Sequence, residues 1–171
     1  MNVLGIDPAQ TTGWAFGNDT LDTVPRWYGV WTLNRQQRLV EFRDMLRQVC
    51  YAESIGLICY EAATFGSHNP AVQASHNEMA GVLKLFAADL NIEVRAYNPG
   101  TIKKWLTGNG AADKAQMIRA VKAQFGIATK DDNIADAVAI CAMGLANYVH
   151  VPAKQTKRAT KARKKKDARL F

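Results

Sequence analysis

The sequence has no apolar run near the roughly 20 residues that a membrane span requires. A membrane protein built on helices is therefore excluded. Its three cysteines, Cys50, Cys59 and Cys141, are odd in number, widely spaced and set among apolar neighbours. That pattern excludes a disulfide framework and reads as reduced core thiols. The histidines, His68, His76 and His150, form no Cys/His zinc pattern. There is no internal repeat. The opening stretch MNVLGIDPAQ lacks a basic region ahead of its apolar residues, so it does not read as a signal peptide. The expected location is the cytoplasm.

What is present is a chain of 171 residues, 48% hydrophobic and 22% charged, a composition suited to one folded domain with a real core. The net charge of +7 is unevenly placed. Of the 22 basic and 15 acidic residues, nine basic residues and one acid lie from Val151 onward. This leaves 13 basic and 14 acidic groups, a net of −1, on the first 150 residues. The sequence thus divides into a near-neutral body, 1–150, and a basic tail, 151–171, that includes Lys164, Lys165 and Lys166. Such a tail is either a solvated appendage or a tether that gains affinity for nucleic acid by releasing counterions; the density of Lys and Arg favours the tether.

Along the body, Asn2 to Ile6 is a short apolar run that stops at Asp7-Pro8, as a buried strand ending at a carboxylate would. Thr12 to Gly17 and Trp27 to Leu33 are rich in aromatic and β-branched residues and are separated by turn-forming ones, so three antiparallel strands are expected. An amphipathic helix is expected over Arg35 to Ala52, with Leu39, Phe42, Leu46 and Val49 inward. Ile55 to Tyr60 is a second buried run, ending at Glu61. Further helices are expected over Ala71 to Leu90, Pro99 to Leu106, Asp113 to Phe125 and Asp131 to Tyr148, with one more strand over Ile92 to Tyr97. The four tryptophans, Trp14, Trp27, Trp31 and Trp105, read more readily as core than as base-stacking residues and are given no functional role. The order implies an α/β layered domain on a mixed sheet.

Chemistry concentrates where the two most buried strands end, at Asp7 and Glu61. The C-terminal ends of central parallel strands in an open α/β sheet are where ligands bind. Two carboxylates a few ångströms apart repel by roughly 1 to 4 kcal/mol, depending on the local dielectric. A divalent cation relieves this, or one acid stays protonated. Hard oxygen ligands with room for phosphate suit Mg²⁺. The last helix begins Asp131-Asp132-Asn133-Ile134-Ala135-Asp136-Ala137. Helix capping accounts for Asp131 or Asp132. It does not account for Asp136, which lies past the first turn between alanines whose small size allows close packing. Asp132 and Asp136, four apart, share a helical face.

Together these pieces resemble the RuvC family of Holliday junction resolvases, in the RNase H-like nuclease superfamily, which includes phage-type members. The resemblance runs from about residue 2 to residue 148. It is carried by Asn2-Val3-Leu4-Gly5-Ile6-Asp7-Pro8, by Tyr60-Glu61, by Ala80-Gly81-Val82, by Ile102-Lys103-Lys104 with Gly110-Ala111-Ala112-Asp113-Lys114-Ala115-Gln116-Met117, and by Ile134-Ala135-Asp136-Ala137-Val138-Ala139-Ile140. It implies an RNase H-like fold with a five-stranded mixed sheet flanked by helices, three strands antiparallel and the rest parallel. It implies an endonuclease that uses two Mg²⁺ ions per site, with Mn²⁺ able to substitute, and no nucleotide cofactor. The substrate would be branched DNA, a four-way junction cut by paired symmetric hydrolysis to leave 5′-phosphate ends.

The same resemblance makes Asp7 the carboxylate shared by both ions, with Glu61 and Asp136 each holding one. The family's second acid on the last helix falls at Asn133, a poor metal ligand, so Asp132 is expected to take its place. Lys103 and Lys114 match family lysines near the active site and read either as phosphate contacts or as solvated charge. Phe65 matches an aromatic residue that stacks on junction bases, or else folds back into the core. Two nicks require two sites, which implies a homodimer, with the helix Ala71 to Leu90 as the candidate interface. The location would be the bacterial cytoplasm, or that of a host for a phage-encoded chain. Rival readings are a broader branched- or flap-DNA endonuclease of the same fold, and a non-catalytic DNA-binding relative. Gly5 to Gly13 also resembles the first hairpin of actin-like sugar kinases, but that class needs two such lobes.

Overall fold

The computed structural model describes residues 1–18, 24–63 and 69–148. The strands are β1 (Asn2–Asp7), β2 (Thr11–Asn18), β3 (Trp27–Thr32), β4 (Ile55–Glu61) and β5 (Glu93–Tyr97). The helices are α1 (Arg38–Ala52), α2 (Pro70–Asp89), α3 (Pro99–Thr107), α4 (Lys114–Phe125) and α5 (Asp132–Tyr148). The strands form one sheet in the order β3-β2-β1-β4-β5. β1, β2 and β3 pair antiparallel, while β4 runs parallel to both β1 and β5. This is the mixed sheet expected from the sequence.

Side chains of a strand alternate between its two faces, and the alternation sorts the core into two halves. Val3, Leu57 and Cys59 face one side, packed with Ile102 and Leu106 of α3, Met117 and Val121 of α4 and the apolar stripe of α5. Leu4, Ile6, Ile58 and Tyr60 face the other, packed with Phe42 and Leu46 of α1 and Met79, Leu83 and Phe86 of α2. The β1 and β4 runs are apolar on both faces because both faces are covered.

Three local details depart from the sequence reading. α1 starts at Arg38 rather than Arg35, because the Asn34 side chain accepts a hydrogen bond from the Gln36 amide at 2.9 Å and holds a turn there. Asp113 stands outside α4 as its cap, in a reciprocal capping box with Gln116. Trp27 and Trp105, expected in the core, are 52% and 38% exposed. Trp27 lies on the edge strand, where one ring face stacks on Phe16 and the rest meets solvent.

Candidate active site

The position of Asp7 follows from strand parity. β1 and β4 pair with Ile6 opposite Tyr60, so Asp7 and Glu61 are the next residues along two adjacent strands, which run about 4.8 Å apart. Asp7 shares the face of Val3 and Gly5, and Glu61 that of Leu57 and Cys59. Both therefore point to the side covered by α5.

α5 reaches them because nothing bulky intervenes. A Cβ added at Gly13 would lie 2.0 Å from the Asn133 carbonyl oxygen, and one added at Gly5 would lie 2.5 Å from the Cys141 amide nitrogen. On the helix side the contacts come from Asn133, Ala137 and Cys141, one turn apart along α5, and Ala137 and Cys141 are fully buried. The close approach that Asp136's small neighbours suggested is thus realised, and the strand glycines are its other half. Sequence reasoning missed their role. The available signal was a pair of glycines on neighbouring strands opposite an alanine-rich helix. Thr12 was also missed. Fully buried, its hydroxyl donates to the Ala9 carbonyl at 2.6 Å and fixes the turn that follows Asp7-Pro8.

The three acids share one electrostatic environment. Burial, then the charges of Asp136 and Asp132, push Asp7 from 3.8 up to about 7. Burial, then Asp7 and Asp136, push Glu61 from 4.5 up to about 8. Burial, then Asp132, pushes Asp136 from 3.8 up to about 6. Lys103 opposes the shift at Glu61 and Asp136, and Lys114 opposes it at Asp7 and Asp136, in every case less than burial promotes it. Among the described residues none of these three carboxylates makes an ion pair.

Asp132 differs. It is ion-paired with Lys114, and that contact holds its carboxyl below the usual range. Asn133 is committed to Asp131. Its side-chain amide donates to Asp131 at 3.0 Å and its backbone amide donates to the same oxygen at 2.9 Å, so Asp131 is the capping acid of α5. Phe65 lies outside the described residues, as do Lys164, Lys165 and Lys166.

This donor set consists of carboxylate oxygens only. It is largely buried, raised in pKa and short of a contacting cation, which fits a hard divalent ion. As the side chains stand, no group of three His, Cys, Asp or Glu among the described residues is gathered closely enough to hold one. Shared burial and the influence of each acid on the others, rather than contact, define the cluster.

Comparison with known proteins identifies the family of the chain. Residues 3–143 match the family model of the crossover junction endodeoxyribonuclease RuvC. The RuvC of Rhodopirellula baltica is 33% identical over 155 residues, covering 85% of this chain and 87% of the relative. That of Corynebacterium jeikeium is 44% identical over 107 residues, covering 61% of this chain and 65% of the relative. Among solved structures, Thermus thermophilus RuvC in complex with a Holliday junction substrate superposes with a TM-score of 0.75 at 23% identity, over 87% of this chain and 94% of that one. The yeast mitochondrial Holliday junction resolvase Ydc2 gives 0.59 at 14% identity, over 85% and 80%. With its sheet order, its strand-end acids and a match to the family model over nearly all of its body, the chain belongs to the RuvC family of crossover junction endodeoxyribonucleases.

Proposed function

We propose that the chain is a metal-dependent endonuclease that resolves four-way DNA junctions by paired phosphodiester hydrolysis. The observation that carries this reading is the placement of Asp7 and Glu61 at neighbouring strand ends, on the face over which α5 packs closely beside Asp136. Family membership supplies the reaction class.

In this reading Asp7, the central acid, would serve both of two Mg²⁺ ions, and Glu61 and Asp136 would each help to hold one. Bound divalent cations supply the activation of water and the stabilisation of the leaving 3′-oxygen, which leaves 5′-phosphate ends. Asp132 would complete the set in place of its ion pair with Lys114. Lys114 is 79% exposed on its side chain; an exposed pair contributes at most about 1 kcal/mol, so releasing it costs little. Freed, Lys114 turns to a DNA phosphate, and Lys103 does the same from α3. Asn133, tied to Asp131, takes no part in metal binding.

Recognition of the branch falls to the body, with Phe65 supporting a base and the tail, 151–171, as a general tether. Two symmetric nicks call for a homodimer. α2 suits the interface because it leaves Val72 and Leu85 exposed, and an apolar groove lined by Val40, Val82, Leu85 and Phe86 runs between it and α1. Among the described residues no helix is long and apolar enough to cross a membrane, in keeping with an enzyme working on cytoplasmic DNA.

The test is a cleavage panel of a four-way junction, a flap and a linear duplex. Symmetric paired nicks on the junction alone are expected. Comparable cutting of the flap would replace junction resolution with a broader branched-DNA activity. No cutting of any substrate would leave only a DNA-binding relative.

A further inference from the structure

A second site stands behind the catalytic edge of the sheet. β1, β3 and β4 end at this edge, and α1 and α2 begin at it. A cavity of about 430 Å³ opens there, lined by Ala9, Gln10, Arg35, Arg38, Ser75 and His76 among others. It belongs to the α1 and α2 side, while the carboxylates face α5. The two are close all the same. Ala9 is two residues beyond Asp7, which limits their Cα separation to about 7 Å.

Among the described residues the cavity wall contains two guanidinium groups and no carboxylate. Arg35 is exposed and makes no ion pair among the described residues. Arg38 gives one terminal nitrogen to Glu78 of α2, outside the lining. Its Nε is shielded from solvent and has no acceptor among the described residues, so contact with an incoming anion falls to the terminal nitrogens of a side chain that is 24% exposed. The 20-residue helix α2 begins at the same wall, and its positive end adds roughly half a unit charge. The Asn69 side chain already caps the Ala71 and Val72 amides, so the helix supplies field and the arginines supply the donors.

We infer that this cavity is a second phosphate site, in which Arg35 and Arg38 grip a backbone phosphate of the strand being cut, close along the chain from the scissile one. The inference rests on the nuclease reading above. Fork-shaped donors in a positive wall are the chemistry that suits a phosphodiester. Phosphates recur every 3.4 Å of helix axis along a strand. A strand crossing the sheet edge at Asp7 therefore brings its next phosphates to the arginines. Their role is to fix the register of that strand over the carboxylates.

The test measures binding of the full chain to a four-way junction without divalent cations, across a salt series. Arg35→Gln removes an exposed group with no partner, so the fold is retained. It is expected to weaken binding about tenfold and to reduce the slope of log affinity against log salt by about one. Arg35→Lys restores the slope. Arg47→Gln, twelve residues further along the chain and within α1, leaves it unchanged. In junctions carrying single neutral methylphosphonates, one position near the cut should weaken the wild type and not the Arg35→Gln variant.

An unchanged slope in Arg35→Gln, an equal loss in Arg47→Gln, or additive losses at every methylphosphonate position would each overturn the inference. So would inorganic phosphate raising the melting temperature of wild type but not Arg35→Gln while the DNA slopes stay equal; that result assigns the cavity to a free anion. A wild type that neither binds nor cuts the junction contradicts the nuclease reading, and this inference with it. A wild type that does both, with slopes unchanged in Arg35→Gln, contradicts this inference alone.

Discussion

Lys114, the first residue of α4, is ion-paired with Asp132, the first residue of α5. The pair joins two groups that the sequence assigned to different tasks, a phosphate contact and a metal ligand. It also raises the Lys114 ammonium above its ordinary range and lowers the Asp132 carboxyl. Each partner keeps the other charged and close to Asp7 and Asp136 while no DNA or metal is bound.

The pair sets the expectation for the fourth ligand. Asp132→Ala should reduce Mg²⁺-dependent cleavage by about tenfold or more, within the 10- to 100-fold range by which secondary groups at metal sites affect activity. Asn133→Ala should lose less, because the Asn133 side chain is committed to Asp131. Single-turnover cleavage of the two variants decides this. A larger loss in Asn133→Ala would mean that the acid at 132 is no ligand.

The raised pKa values give a pH dependence with a definite sign. Asp7, Glu61 and Asp136 titrate near 7, 8 and 6 in the fold, above their ordinary 3.8, 4.5 and 3.8. The folded state then holds more protons than the unfolded state between those limits. Their stabilising contribution is complete below about pH 4 and is lost as pH rises through 6 to 8. In EDTA, Asp7→Asn should be more stable than wild type at pH 8 by up to about 4 kcal/mol, with the gap closing toward pH 4. Mg²⁺ should raise the wild-type melting temperature more at pH 8 than at pH 5.5, because protons compete for the same oxygens. Thermal melts across pH test both. A gap that widens toward acid would contradict the burial of Asp7.

Close packing of α5 on the sheet predicts a different phenotype. Gly13→Ala places a methyl group against the Asn133 carbonyl. Overpacking of this kind costs about 1 to 3 kcal/mol, a fall in melting temperature of roughly 3 to 10 °C for a chain of this size. Activity should fall further than stability, because the strain moves Asp136 relative to Asp7. Calorimetry and cleavage rates on one sample separate the two effects; a variant with wild-type stability and rate would show that the helix is free to move off the strand.

Much of this site was legible in the sequence because it lies at element ends. Asp7 and Glu61 terminate apolar runs, and Asp136 interrupts an apolar helix face among alanines. Periodicity placed each, and the parallel pairing of β1 with β4 brought the first two together. What stayed hidden depends on the meeting of distant segments. The capture of Asp132 by Lys114 requires the α4–α5 approach. The roles of Gly5 and Gly13 require the helix that crosses them. The late start of α1 came from one side-chain hydrogen bond of Asn34 that competes with helix formation. Trp27 was misplaced because aromatic content marks a strand without saying that it is the edge strand.

The basic tail, outside the described residues, gives a prediction from charge alone. Deleting 151–171 should weaken binding to every DNA and flatten its salt dependence, by about 0.9 in slope for each phosphate no longer neutralised. The cut position should not change. Salt-titrated binding and mapping of the nicks check the two halves, and a shifted nick would give the tail a part in positioning.

The most direct test of the central claim is incubation of the chain with an end-labelled four-way junction, with and without Mg²⁺, beside its Asp7→Asn variant. The expected result is symmetric paired nicks with 5′-phosphate ends from the wild type in Mg²⁺ only, and none from Asp7→Asn, which still binds the junction. Mg²⁺-dependent nicking retained by Asp7→Asn, or equal cutting by the wild type without metal, would contradict the site described here.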